Sequence, residues 1–413
     1  MSIFVSIAAY RDPELAPTIA DCIRRARYPD QLRFGVCWQH TEDEVPPADF
    51  SRGNVRTIDV PWHQSPGVCW ARAEIMKLWD GEDFFLQLDS HHRFVQDWDA
   101  LLLAQAARCG TDKFVLSTYA MPYDPRAPAP EAGAPTQMDF HRFSADGIPM
   151  FIPRAVPERP APLRARFVSA HFLFAPGCFA AEIPYDPELY FHGEEITLAI
   201  RAFTHGYDLF HPSQHVLWHE YTRNYRAKHW DDHVQARGIP FEWHMRDAAS
   251  RERVQRFLLD PREEQFGCGS ARTFAEYESY AGLSFRHRSA QDATLRGEEP
   301  PNPPAPPNWP TAIRDWRVRI VLDRAALPPA AFSDPAFWYV GFHDAADGEI
   351  RREDAQGEEL HRLLAADGKI IIERQFRSAR QPATWTVWPH SRSGRWLEKV
   401  VGTVDAGALA AGA

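Results

Sequence analysis

The segment Phe84-Phe-Leu-Gln-Leu-Asp-Ser-His-His-Arg-Phe94 joins a strand-like run to a cluster of polar, metal-ligating residues. Phe84 to Leu88 reads as a strand buried on both faces, as the strands of parallel sheets are. Alternation from its end sends Asp89 and His91 to the same side. A carboxylate and an imidazole two residues apart can chelate a divalent ion of intermediate hardness, such as Mn2+, and leave positions open for a substrate's phosphates. On spacing alone a second reading stands beside this one: Asp89 caps a turn and the histidines are polar loop residues.

The flanking sequence repeats one pattern. Ile3 to Ala8 is a short apolar strand, and Asp12-Pro13 supplies a helix cap and a first-turn proline. Leu15, Ile19, Cys22, Ile23 and Ala26 then recur at helical spacing. Leu32, Phe34, Val36 and Trp38 alternate as a second strand, and Asn54 to Val60 gives a third. Val68, Ile75, Met76 and Trp79 mark a helix, Trp98 to Cys109 another, and Phe114 to Tyr119 a further strand. Strands alternating with helices predict an α/β fold, with a mostly parallel sheet covered on both faces and its ligands at the carboxyl ends of strands. Pro122 to Gln137, rich in Pro, Ala and Gly, reads as a long surface loop of the kind that tends to be functional.

Asn302 to Pro310 is denser in proline and reads as a semi-rigid linker. Beyond it, Trp316 to Leu322, Phe337 to Phe342, Lys369 to Glu373 and Thr384 to Trp388 are β-type runs that predict a small all-β, sandwich-like domain. The expected division is a catalytic domain over 1–290, a linker over 291–310 and a β-rich accessory domain over 311–413. The tail from Gly407 to Ala413 is low in complexity and expected to be mobile.

The 413 residues carry 46 Lys+Arg against 56 Asp+Glu, a net charge of −10 with histidine neutral. That balance, without a basic block, argues against nucleic acid as a partner. Six scattered cysteines lack C-x-x-C or zinc-finger spacing and read as reduced thiols. The N-terminus has no basic n-region, and no stretch approaches the ~20 apolar residues of a membrane span. A soluble, cytoplasmic protein is expected.

Two more segments carry candidate chemistry. His192-Gly193-Glu194-Glu195 opens a helical pattern continued by Ile196, Leu198, Ile200 and Phe203. Two acids in a first turn are favoured by the helix dipole alone, or one of them points into a cleft to hold sugar hydroxyls. Adjacent helical residues lie about 100° apart, so the two differ in role. Gly193 would let the backbone approach a ligand closely. In Trp218-His219-Glu220-Tyr221, His219 is either a packed histidine or the third ligand of a metal shell begun by Asp89 and His91. Arg223 stands where H-E-x-x-H needs its second histidine, which excludes a zinc protease. G-x-S-x-G, the P-loop and G-x-G-x-x-G are absent.

Ile3-Phe-Val-Ser-Ile-Ala-Ala-Tyr-Arg-Asp12, Leu86-Gln-Leu-Asp-Ser-His91, His192-Gly-Glu-Glu195 and Trp218-His-Glu-Tyr221, in that order, resemble the signature blocks of the polypeptide α-N-acetylglucosaminyltransferases that modify hydroxyproline, and of their bacterial relatives. The resemblance covers about residues 1 to 285. It implies a glycosyltransferase A-type nucleotide-sugar-binding domain, a UDP-sugar donor (UDP-N-acetylglucosamine foremost), Mn2+ or Mg2+, retention of the anomeric configuration, and a hydroxyl acceptor on a protein or peptide. It further implies that Asp89, His91 and His219 hold the metal and that Ala8, Tyr10 and Arg11 line the uridine pocket. Ser90 would lie by the nucleotide and Arg72 would approach the phosphates. Glu194 is the candidate for the donor sugar and Glu195 for acceptor or structure, though the pair could be exchanged. A non-catalytic carbohydrate- or nucleotide-sugar-binding protein on the same fold is the competing class. A phosphohydrolase reading lacks the carboxylates of a two-metal site.

Overall fold

The computed structural model describes residues 1–127, 133–222, 225–239, 241–262, 265–306, 309–312, 314–378 and 380–404. The expected mobile tail, Gly407 to Ala413, lies outside the described residues, as do parts of the expected loop and linker. The chain divides into two compact units, Met1–Pro304 and Ala305–Ala413.

The first unit runs β1 (Ile3–Tyr10), α1 (Leu15–Arg25), β2 (Leu32–His40), β3 (Val55–Pro61), α2 (Val68–Met76), β4 (Phe84–Asp89), β5 (His92–Phe94), α3 (Trp98–Ala106), β6 (Phe114–Ser117) and β7 (Met121–Pro122). It continues with β8 (Thr136–Phe143), β9 (Pro149–Ala155), β10 (Leu163–Arg164), β11 (Phe172–Pro176), α4 (Phe179–Glu182), α5 (Glu194–Thr204), β12 (Asp208–His211), β13 (Leu217–His219), α6 (His229–Asp232), α7 (Trp243–Leu259) and α8 (Phe274–Ala281). An eight-stranded sheet has the order β10-β12-β6-β11-β4-β1-β2-β3. The strands β3, β2, β1 and β4 pair in parallel. β11 lies antiparallel between β4 and β6, and β10 is antiparallel to β12, so the sheet is mixed. Its apolar run, Phe172-Leu-Phe-Ala175, satisfies burial in either direction and leaves no trace of orientation in the sequence.

Alternation along β1 sorts its side chains between two cores. Phe4 and Ala8 face one, with Cys37, Phe85 and Leu173. Ile3, Val5 and Ile7 face the other, with Leu15, Ile19 and Trp98. Both faces of the sheet are therefore covered, and truncating a fully buried ring such as Phe174 to alanine is worth about 3–5 kcal/mol. This rigid layer sets where the strand ends fall. In register, Ala8 of β1 lies beside Asp89 of β4. A second, three-stranded sheet, β5-β13-β7, brings His219 opposite His92.

Two expectations for this unit need correction. The loop expected from Pro122 to Gln137 begins on β7 and ends inside β8, which forms a hairpin with β9. Tyr123, within that stretch, is buried, with the Arg93 guanidinium 5.1 Å from its ring centre. The segment after 290 is not yet linker: Asp292–Leu295 is helical, and Asn302 donates to Gln291 at 2.9 Å and Thr294 at 2.8 Å and accepts from Arg166.

The second unit encloses its own core. Arg314–Asp323 pairs antiparallel with Lys369–Ser378, and a four-stranded antiparallel sheet is built from Glu349–Arg352, Pro335–His343, Thr384–Ser391 and Val400–Thr403. Val318, Ile320, Trp338, Val340, Ile370, Ile372 and Val387 fill the space between. The unit is not all-β, because Gly357–Ala365 is a helix that buries Leu360 and Leu363. Buried Arg374 ties it to the sheet through Glu359 at 2.7 and 3.0 Å. The polar residues around those leucines hide a three-residue apolar spacing from a reading tuned to alternation.

Candidate active site

Asp89 ends β4, His91 follows it two residues later, and His219 ends β13. One ligand atom from each of the three lies within 4.8 Å of the others. His219 Nε2 is 3.4 Å and His91 Nε2 3.7 Å from Asp89 Oδ2. His91 donates from Nδ1 to Asp12 Oδ2 at 2.7 Å, and its Nε2 accepts from Arg226 Nη2 at 3.0 Å. These partners select the tautomer whose Nε2 carries the lone pair, as a metal ligand requires. Burial, with His171 stacked on it at 4.1 Å between ring centres, pushes His219 well below the usual histidine range and keeps it neutral. Burial pushes the Asp89 carboxyl up, but the His219 hydrogen bond and the Arg72 charge outweigh it and hold Asp89 well below the usual range. An ionised oxygen donor and two imidazoles fit a divalent ion of intermediate hardness.

Asp12 does not cap α1, whose N-cap position is Glu14, but it braces the turn before that helix. One oxygen accepts from the Glu14 backbone N–H at 2.9 Å, and the other orients both His91 and Ser90, the latter at 2.7 Å. A residue 79 positions from its histidine gives no sequence signal of that role. Arg72 is the residue that the resemblance sends toward the phosphates. It is buried on α2, with Nη2 on Asp89 Oδ1 at 2.7 Å and Nη1 on Glu194 Oε2 at 2.6 Å, so its terminal nitrogens lie against two carboxylates rather than open space.

Two cavities meet at Asp89. The first, about 110 Å3, is lined by Ala8, Tyr10, Gln39, Tyr190, Arg226 and His229 among others, with Ser90 and His91 also in its wall. Tyr190 donates to His229 Nδ1 at 2.8 Å, and the Tyr10 and His229 ring centres are 5.0 Å apart. The second, about 230 Å3, contains Arg72, Tyr119, His171, Glu194, Glu195 and His219. Glu194 Oε2 takes Arg72 and, at 3.1 Å, the Cys69 thiol, while Oε1 has no protein donor among the described residues. Glu195 is used at both oxygens: Tyr119 OH donates to one at 2.5 Å and the Ala170 N–H to the other at 2.9 Å. Burial pushes Glu195 up to about 7 against those hydrogen bonds, and burial also raises Glu194 against the Arg72 charge.

The structure thus brings Asp89, His91, His219, Ser90, Ala8, Tyr10, Arg72, Glu194 and Glu195 to one locality. Arg11 departs from it: it is not in either cavity wall and pairs with Asp232 at 2.6 Å and Glu44 at 3.6 Å. Gly193 has φ +93°, and a Cβ there would meet Val254 at 2.8 Å, so it serves the turn into α5 and packing against α7. Gln39, Tyr119, His171, Tyr190, Arg226 and His229 line these cavities and were missed by sequence reasoning. Each is a common polar or aromatic residue, most of them between helices and strands, brought in by tertiary structure alone.

Residues 2–52 and 47–287 match a protein family described as Glycosyltransferase (GlcNAc). A search of curated proteins finds no match. Among solved structures, GalNAc-T7 with UDP, GalNAc and Mn2+ is 14% identical, with 72% of this chain and 53% of that chain covered at a TM-score of 0.46. The chain therefore spans about half the length of that protein. S. aureus TarS 1-349 in complex with UDP-GlcNAc is 13% identical, with 64% and 77% covered at a TM-score of 0.36. S. aureus TarS is 12% identical, with 98% and 77% covered at a TM-score of 0.39.

Proposed function

The chain belongs to the glycosyltransferase (GlcNAc) family, and from that premise we propose that it moves a sugar, N-acetylglucosamine foremost, from a UDP-linked donor to a hydroxyl acceptor on a protein or peptide. The observation that carries the reading is the position of Asp89 in the wall of two cavities of unlike chemistry. A donor diphosphate must lie between its nucleoside and its sugar, and the candidate metal ligands lie at that junction.

In this reading Ala8, Tyr10, Gln39 and Tyr190 flank the uridine, while Arg226 and Lys228 add positive charge to the same wall. Asp89, His91 and His219 would hold Mn2+ or Mg2+, which when bound supplies a Lewis acid for the departing diphosphate. Glu194 offers Oε1 to a donor hydroxyl, with Arg72 fixing its other oxygen. Glu195, occupied at both oxygens, positions Tyr119 and the Ala170 backbone N–H on the acceptor side. A glutamate ion-paired at 2.6 Å is a poor nucleophile, which favours attack on the face of departure, with retention, over a covalent glycosyl-enzyme.

Thermal unfolding with UDP and Mn2+ tests the site. UDP at ~100-fold above its dissociation constant should stabilise the protein by about 2.7 kcal/mol. The shift should vanish in excess chelator and in Asp89→Ala. A UDP shift that survives both would remove the metal from the reading.

A further inference from the structure

Arg201 lies on α5 two turns after Glu194, about 10 Å along the helix axis. It is 3% exposed, and its Nε and Nη2 have no hydrogen-bond partner among the described residues. Burial drags its pKa down to about 10 against the opposing charge of Asp186. A buried guanidinium without a fork partner is a costly arrangement unless something supplies the missing acceptors. Arg201 lines a cleft of about 360 Å3 that shares no residue with either cavity at Asp89. Arg253, Arg256 and Arg262 line the same cleft, and the Phe266 ring centre is 5.8 Å from the Arg201 guanidinium carbon.

Three of the four arginines in this wall have acidic partners. Four arginines face Asp186 and Asp260. Asp186 is engaged by Arg253 at 2.5 Å and Asp260 by Arg262 at 2.7 Å, while Arg253 also reaches Glu188 at 2.9 Å. Arg256 has Glu252 at 3.8 Å, which leaves Arg201 as the arginine of this wall with no ion pair among the described residues. A phosphate monoester carries about −1.5 to −2 at pH 7 and presents oxygens that match a guanidinium fork. We propose that this cleft is a second ligand site, which takes a small phosphate-bearing molecule on Arg201.

The test is thermal unfolding of the full chain at low ionic strength, in chelator so that the metal ligands take no part. Inorganic phosphate, a hexose phosphate, malonate and chloride are titrated separately. Saturable stabilisation by phosphate is expected, with chloride inert at equal ionic strength and malonate weaker. A hexose phosphate that binds more tightly than inorganic phosphate identifies an organic phosphate as the ligand, and equal binding identifies the free anion. Arg201→Met should abolish the response without lowering the phosphate-free melting temperature, because it replaces an unpartnered buried cation by an apolar chain of similar length. Arg256, whose side chain is 67% exposed, can be reversed without threat to the fold. Arg256→Glu should weaken phosphate about tenfold, and it decides the matter if Arg201→Met does not fold. No saturable response in the wild type, an unchanged response in these variants, or malonate binding as tightly as phosphate would each overturn the proposal.

Discussion

The two cavities that meet at Asp89 differ in what they can hold. The first combines the rings of Tyr10, Tyr190 and His229 with the cations Arg226 and Lys228, a setting for a flat base and an anionic diphosphate. The second gathers Glu194, Glu195 and Tyr119 around buried Arg72, a setting for neutral hydroxyls. Arg72 links the two, because one guanidinium contacts both Asp89 and Glu194. The contrast teaches that binding and turnover should be separable by mutation on one side and inseparable at the junction.

Glu194→Gln is the sharpest way to separate them. It is nearly isosteric and removes charge only from the second cavity, so turnover should fall by roughly 100-fold with UDP affinity held. Steady-state rates beside UDP titrations check this. Equal loss of both would move Glu194 to the diphosphate side, and an unchanged rate would leave it as a helix-dipole residue. Asp12→Asn acts on the first cavity through His91. Metal affinity, read by titration of Mn2+, should weaken on the order of 10-fold. No change would leave Asp12 as a brace of the turn before α1 alone.

A smaller effect is expected from protonation. Glu195 titrates near 7 in the fold and near the ordinary glutamate value of 4.5 when unfolded. Between those values the folded state holds more protons, so its contribution to stability is full below about 4.5 and is lost as pH rises through about 7. Glu195→Gln should flatten this slope in denaturant melts taken across that window, and an unaltered slope would place the titration elsewhere. The smallest effect is proposed for removal of the second unit. A chain ending at Pro304 keeps every residue of both cavities, and UDP should shift its melting temperature as it does the full chain. Loss of that shift would show that the first unit depends on the second for its folding.

What the sequence reveals of this site follows the range of the interactions. Asp89 and His91 share a strand end, where alternation fixes their common side, and the glutamates open a helix whose apolar spacing is plain. Resemblance adds His219, 128 residues beyond His91, which no local pattern could attach to them. Asp12 and Arg72 were legible as residues, but their partners lie 79, 17 and 122 positions away, beyond the reach of a local reading. The same limit hid the antiparallel insertion of β11 and the helix Gly357–Ala365. Pairing direction and a two-leucine helical face leave only weak marks on composition.

The central claim is that Asp89 holds together a metal-dependent sugar-transfer site. It is tested most directly by UDP release from UDP-N-acetylglucosamine with Mn2+, in the wild type and in Asp89→Ala. The account predicts release that requires the metal, stops in excess chelator and falls at least 1,000-fold in the variant. Full release in excess chelator, or an Asp89→Ala rate equal to wild type, would contradict it.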